Sequence, residues 1–520
     1  MTALLADIPL EPAGVPRGRA MVERAEWAAR SFATYDIETV RRISKAAAEA
    51  GEKHASEFAE AAVAETGFGV AEHKVLKNVA CSIGIWNTYG SHDYVSPIVH
   101  ADRRIVEIPR PAGVVLALTP STNPVATTYF KIMLALLSRN AIIISPHPYA
   151  RKVGVQAAHV MRDAAIAAGA PDGCIQVVEE PSIPLINALM TDERVDVILA
   201  TGGTPMVRAA YRSGNPAIGV GPGNVPVLVD GTADLTLAAR RLVASKSFDN
   251  SILCTNESVV IVEERVEAPF TAAMKREGAY VLESDEVDSV RGVIFEGDHF
   301  NTAWVGKSAV QIAEAAGVKV PKGTKVLVAP FSIVVPEEML AHEKLCPVLG
   351  MVTVPSAARG IDAARAVLRI TGAGHSAAIH SEDADTIMAF AAAVRVLRVS
   401  VNVGNSLGSA GIETNLAPSM TIGTGFFGRS SVGENLEPKH LVNHTRIAYS
   451  SDERIPMADF AGLNPWQAPH GPVPTYPIAS NMDDAPQLVR ANGPAGESTD
   501  ELRDEIRKLV IEELRQIIKG

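Results

Sequence analysis

Cysteine is scarce in this chain of 520 residues: Cys81, Cys174, Cys254 and Cys346 are the only four, and no two form a CxxC pair. Scattered thiols argue against a disulfide framework and against a zinc knuckle, and they point to a reducing compartment. Basic runs are absent too. A net charge of −11 with no cationic cluster excludes an electrostatic grip on nucleic acid or on an anionic membrane. No apolar run approaches the roughly 18–20 residues that a helix needs to cross a bilayer. The opening "MTALLADIPLEPAG" lacks a basic flank and has only a three-residue apolar run, so no secretory signal is expected. Internal repeats are missing, as is the GxGxxG of a dinucleotide fingerprint. What is present, 47% hydrophobic and 21% charged residues, is the composition of an ordinary α/β protein with a large core, expected in the cytoplasm.

Residues 20–90 carry apolar side chains at three- and four-residue spacing and read as helices. Strands and helices then alternate. The run Val114–Leu118 is followed by "TPSTNP" and a helix from about Val125 to Leu137. A strand at Ala141–Ile144 leads through "SPHPYA" into a helix, and strands at Ile175–Val178 and Asp196–Leu199 follow, the second ending in "ATGGTP". This alternation predicts a parallel sheet covered on both faces, with ligands beyond the carboxyl ends of the strands. The three loops should therefore line one crevice. A second α/β unit runs from about Val259 to Val403, before the glycine-rich "VNVGNSLGSAGIETNLAPSMTIGTGFFG". Prolines crowd residues 451–497, which read as a linker. Ser498 and Glu501 form a capping box for a last helix, whose stripe of Leu502, Ile506, Leu509, Val510, Leu514 and Ile517 is apolar.

Each motif is weak alone. "TGGTP" fits a strand end as well as a nucleotide site, and "SPHP" is a turn. Cys254, in "SFDNSILCTNE", reads more readily as a small core residue than as a nucleophile. Together, "TPSTNP", "SPHP", "TGG", "GVGPGNVPV", "SFDNSILC", "HEKLCPVLG" and "APSMTIGTGFFGRSSVGENLEPKHLVN" occur in an order that resembles the aldehyde dehydrogenase superfamily over residues 20–450. The closer resemblance is to its CoA-acylating branch, the acetaldehyde and propionaldehyde dehydrogenases, which release acyl-CoA.

The resemblance implies a Rossmann-like cofactor domain, an α/β catalytic domain and a small oligomerisation β-flap. Its boundaries would be 1–248, with an oligomerisation strand near 100–111; 249–430, carrying the cysteine; and 431–450, a strand returning to the first domain. It implies that Cys254 is the nucleophile and that Asn123 and the Cys254 backbone N–H form an oxyanion hole, although Asn123 before Pro124 is equally a turn residue. Glu343 would hold the nicotinamide ribose of NAD. Thr119, Pro120, Gly202, Gly203, Met206, Gly219, Gly221 and Leu345 would line the cofactor. Ser145 and Pro148 stand where many members carry a lysine and a glutamate on the adenosine ribose, so NADP stays open as an alternative. His147 would sit near the adenosine or brace its turn, and His440 would be structural or a subunit contact. No metal is expected.

The telling feature is again an absence. Members that release free acid activate water with a glutamate a little over thirty residues before the cysteine. Here Gly219, 35 residues before Cys254, takes that place. With no base there, a thioester on Cys254 is expected to wait for the thiol of coenzyme A. Two alternatives remain: a hydrolytic enzyme that recruits its base elsewhere, and a vestigial scaffold. Related enzymes are dimers or tetramers that exchange edge strands, for which "RRIVEIP" and "HTRIAY" are suitable. The terminal helix, residues 498–520, resembles peptides that carry enzymes to the shell of bacterial microcompartments. Docking on its own or a neighbouring subunit is the other reading.

Overall fold

The computed structural model describes residues 14–467. Helices Val15–Phe32, Ile37–Lys53, Ala55–Thr66 and Ala71–Val79 come first. Asp36 caps the second by accepting the Thr39 N–H at 2.8 Å. An antiparallel hairpin of β1 (Ile98–His100) and β2 (Ile105–Pro111) follows.

The first parallel sheet holds β3 (Val114–Leu118), β4 (Ala141–Ser145), β5 (Ile175–Val177), β6 (Val197–Thr201) and β7 (Ala217–Val220), in the order β5-β4-β3-β6-β7. Every residue of β3 and β4 is buried, which is why they read as continuous apolar runs without alternation. The chain builds outward from β3 in one direction and then returns to build through β6 in the other. The crevice beyond β3 and β6 is therefore the switch point where such sheets hold ligands. Helix Pro124–Leu137, which starts at that crevice, is buried along its whole length.

The second sheet is also parallel. Its strands are β8 (Val225–Val229), β9 (Glu257–Glu263), β10 (Ala279–Val281), β13 (Val326–Pro330), β14 (Val348–Val354), β15 (Ala377–His380) and β16 (Val399–Val401), ordered β10-β13-β14-β9-β8-β15-β16. A two-residue hairpin, β11 (Phe295–Glu296) and β12 (His299–Phe300), lies outside it. The expected domain boundary at 248 needs moving, because β8 already belongs to the second sheet. Gly221, Pro222, Gly223 and Asn224 carry the chain from β7 to β8 without a helix, so the changeover falls there. β17 (Val442–Ala448) returns to pair antiparallel with β2 along its full length, giving the three-stranded flap β1-β2-β17.

The proline-rich segment is docked as far as it is described. Trp466 donates its indole N–H to the Val95 carbonyl at 3.1 Å, and the guanidinium of the buried Arg139 lies 4.7 Å from its ring centroid. The expected linker beyond 467 and the helix at 498–520 lie outside the described residues. Among the described residues, no helix is long and apolar enough to cross a membrane and no His, Cys, Asp or Glu cluster is set to hold a metal.

Candidate active site

Cys254 follows a strained turn. Asp249, Asn250 and Ser251 have φ of 49°, 51° and 63°, three consecutive non-glycine residues in the left-handed region. Each such residue costs roughly 1–2 kcal/mol, so the surroundings must hold the turn in place. The helix Ala71–Val79 does this. The Asp249 carboxylate accepts the Val70 N–H at 2.6 Å, the Lys74 ammonium at 3.1 Å and the Lys77 ammonium. The Asp249 N–H donates to His73 Nδ1 at 2.8 Å, and Asn250 donates to the Gly306 carbonyl at 2.9 Å. Gly69, at φ 77°, leaves the carboxylate its space: a Cβ there would stand 2.1 Å from Asp249 Oδ1. These supports went unnoticed in the sequence. The available signal was weak, since Lys74, Lys77 and Asn78 are buried on this helix while Leu76 is 60% exposed, the reverse of ordinary amphipathicity.

Asn123, also buried, is the residue before the first turn of helix Pro124–Leu137, and Pro124 explains its extended φ of −135°. Its side chain does not cap that helix. Instead Oδ1 accepts from the Lys77 ammonium, and Nδ2 reaches Thr122 Oγ1 at 3.3 Å. Lys77 thus bonds both Asn123 and Asp249, joining the two loops that the sequence reading assigned to one oxyanion hole.

The Cys254 thiol is half-buried, and its pKa is pushed up to about 12. Burial is the main cause and the Glu343 carboxylate the second, while its own backbone N–H and Arg398 pull the other way. At rest the sulfur is a thiol. Arg398 is buried, and its guanidinium donates to the carbonyls of Gly374, His375, Gly423 and Gly433 and to Asn435 Oδ1, with no carboxylate among them. Burial first and Arg398 second push His375 down to about 3, which makes that imidazole neutral. His375 Nδ1 meets Ser376 Oγ at 3.0 Å, and its Nε2 has no partner.

Glu343 brings a carboxyl group close enough to influence the thiol, although none stands at Gly219. Its Oε1 accepts the Gly223 N–H at 3.2 Å, and burial raises its pKa to about 8, so near neutrality it is largely protonated. When ionised, Glu343 adds to the burial that holds Cys254 as a thiol.

Gly219 lies in β7, where a Cβ would meet Val207 at 2.5 Å and Tyr211 at 2.8 Å. Its N–H donates to the Tyr211 hydroxyl at 2.8 Å, that hydroxyl donates to Ser430 Oγ at 2.9 Å, and Ser430 donates to the Gly219 carbonyl at 2.9 Å. No side chain, and so no carboxylate, has room at this position.

Several of the remaining expected residues lie at the carboxyl ends of the first sheet. Thr119 and Pro120 follow β3, Ser145 ends β4, His147 and Pro148 follow it, and Gly202 and Gly203 follow β6. The Thr119 N–H donates to the Ser145 carbonyl at 3.0 Å, tying two of these loops together. The hydroxyls of Thr119 and Thr201 are buried there without partners. Helix Thr204–Arg212 opens with Gly203 and no side-chain cap, but Pro205 carries no N–H and the Met206 and Val207 N–H groups donate to the Gly203 carbonyl at 3.1 and 3.2 Å. The two orphaned hydroxyls are what fits a polar ligand such as a dinucleotide. His147 Nδ1 accepts the Tyr149 N–H at 3.2 Å and so braces its turn. Met206 Cε lies where a Gly202 Cβ would be, and Gly221 faces open space. The Leu345 carbonyl accepts the Gly306 N–H at 2.8 Å, which gives Leu345 a part in the loop below Asn250. His440 Nδ1 accepts the Glu437 N–H at 2.9 Å, a structural role.

Residues 12–415 match the model of the aldehyde dehydrogenase family. The succinate-semialdehyde dehydrogenase (acetylating) of Clostridium kluyveri is 38% identical over 435 residues, 83% of this chain and 96% of that protein. An acetylating aldehyde dehydrogenase from Geobacillus thermoglucosidasius superposes with a TM-score of 0.83 at 36% identity, covering 85% of this chain and 98% of that one. A propionaldehyde dehydrogenase from the fucose utilisation bacterial microcompartment of Clostridium phytofermentans gives 0.76 at 25% identity, covering 83% and 97%. Against other curated relatives, at 38–40% identity, the chain spans about half their length. Crevice, cysteine turn and sequence likeness agree: the chain belongs to the aldehyde dehydrogenase family.

Proposed function

We propose that the protein is a CoA-acylating aldehyde dehydrogenase, converting a short-chain aldehyde, CoA and NAD(P)⁺ into acyl-CoA and NAD(P)H. The observation that carries this reading is Gly219, closed in by Val207 and Tyr211 where a water-activating carboxylate would have to stand. The acetylating relatives support it. Cys254, once deprotonated, attacks the carbonyl carbon, and the carbonyl electrons move onto oxygen. Asn123 Nδ2 and the Cys254 N–H receive that charge; loss of one such donor typically costs ~10²–10³ in rate. A bound nicotinamide cofactor supplies the hydride acceptor that turns the thiohemiacetal into a thioester. Coenzyme A then attacks the thioester carbon, and Cys254 leaves as the thiolate. Thr119 and Thr201 would hold the dinucleotide, and Glu343 its ribose. With no carboxylate at Ser145 or Pro148, NAD and NADP are both admitted.

The competing hydrolytic reading has one observation in its favour, the electrostatic coupling of Glu343 to Cys254. Product analysis separates the two. The acylating reading expects sustained NADH turnover and acyl-CoA only when CoA is present, with at most one NADH per site without it, and loss of both in Cys254→Ala. Free acid formed at full rate without CoA, and abolished in Glu343→Gln, would establish the hydrolytic one.

Exposed Ile98 and Val99 on β1, with the flap strand β17, support a homodimer or homotetramer built through this sheet; light scattering tests it. Residues 498–520 are proposed as a shell-directed peptide, from sequence alone. Diffuse fluorescence of a fusion to residues 495–520, expressed beside shell proteins, would refute it.

A further inference from the structure

We infer that Lys77 is a positioning residue of the oxyanion hole, fixing the orientation of the Asn123 amide and tying it to the loop of Cys254. This rests on the reading of Asn123 as the oxyanion donor.

An ammonium has three donors and no acceptor. Because Lys77 donates to Asn123 Oδ1, the amide cannot rotate by half a turn: that would set its NH₂ against the cation. Nδ2 is left facing away from Lys77, with only the 3.3 Å contact to Thr122 Oγ1, and remains available to a developing oxyanion. The same ammonium bonds Asp249, first of the three left-handed residues before Cys254. One cation therefore sets the spacing between both donors of the hole.

The surroundings make that bond strong. The Lys77 side chain is 2% exposed and the Asp249 side chain 0%. A small space beside them, lined in part by Lys74, Lys77, Asn78 and Asn123, is about 10 Å³, room for no more than one water. Lys74, one turn earlier, donates to the Thr122 carbonyl at 3.2 Å and to Asp249, so it steadies the backbone next to Asn123 but does not touch its amide. Two lysines face one carboxylate. The excess positive charge lies behind Asn123 Oδ1, where it polarises the amide and strengthens Nδ2–H as a donor.

A purely structural lysine would satisfy Asp249 and nothing more. Three measurements on the full-length protein separate the two roles: aldehyde- and CoA-dependent NADH formation, alkylation of Cys254 by iodoacetamide, and a double-mutant cycle with Asn123→Ala. The other three cysteines are buried, so alkylation reports on Cys254 and involves no oxyanion. Lys77→Met should lower kcat by ~10²-fold, as loss of one oxyanion donor does, with aldehyde KM and alkylation rate both within about threefold of the parent. The double variant should be no slower than Asn123→Ala alone. Lys74→Met should lower thermal stability, and its rate defect should multiply with that of Asn123→Ala.

Alkylation falling in step with kcat would show that Lys77 acts on the thiol itself and not through the Asn123 amide, and would overturn the inference. So would a double variant slowed by the product of the two single defects. If Lys77→Met fails to fold, Lys77→Met/Asp249→Asn, which removes the carboxylate charge left with Lys74 as its one cation, must show the same pattern. A fully active Asn123→Ala would refute the oxyanion assignment itself, and this inference with it. A slow Asn123→Ala beside a fully active Lys77→Met would refute this inference alone.

Discussion

Glu343 and Cys254 meet across Gly223: the Cβ that Gly223 lacks would stand 2.0 Å from the Cys254 carbonyl oxygen and 3.5 Å from Glu343 Oε1. The nearer atom is backbone and cannot swing aside. Gly223→Ala must therefore displace the Cys254 turn, a strain of about 1–3 kcal/mol. The expected outcome is a lower melting temperature together with loss of NADH formation. Unchanged kinetics in this variant would show that the turn tolerates the shift.

Glu343 makes stability depend on pH. Its folded pKa, about 8, lies above the ordinary value of 4.5. Between those values the folded state binds the proton and the unfolded state does not, so stability falls as pH rises from about 5 to 8. Glu343→Gln should flatten that slope, raising the melting temperature at pH 8.5 relative to the parent and leaving it nearly unchanged at pH 4. Parallel pH profiles for the two proteins would contradict the shift.

Cys254, pushed up to about 12, should be a slow nucleophile in the enzyme without ligands. Its iodoacetamide alkylation should rise about tenfold per pH unit from 7 to 9, in proportion to the thiolate fraction. A plateau below pH 8 would show a thiolate already formed at rest.

Gly219→Glu tests whether a carboxylate can be restored. Val207 and Tyr211 occupy the space its side chain would need, and the Tyr211–Ser430 hydrogen bonds close around it. The variant is expected to lose stability by roughly 1–3 kcal/mol in a denaturant titration and to release no acid without CoA. Rapid acid release would mean that the strand yields and that Gly219 alone sets the product.

The strands of the first sheet were legible in the sequence because full burial on both faces leaves runs such as Val114–Leu118 and Ala141–Ser145 with no polar residue until the last position. The ligand loops were legible for the same reason, since they interrupt those runs. The apolar run of β8 is equally compatible with either sheet. Only hydrogen bonding to β9 and β15 assigns it.

By itself, then, the sequence determined the alternation of elements and the crevice loops, which are written in local residue order, while the proposed roles of Cys254 and Gly219 entered only through the resemblance. Tertiary structure alone decided what surrounds the sulfur. Lys77 and Asp249 are 172 residues apart, and Gly223 and Glu343 are 120 apart. The energies that set their protonation and orientation come from burial and from partners distant in the chain, neither of which has a local pattern to read.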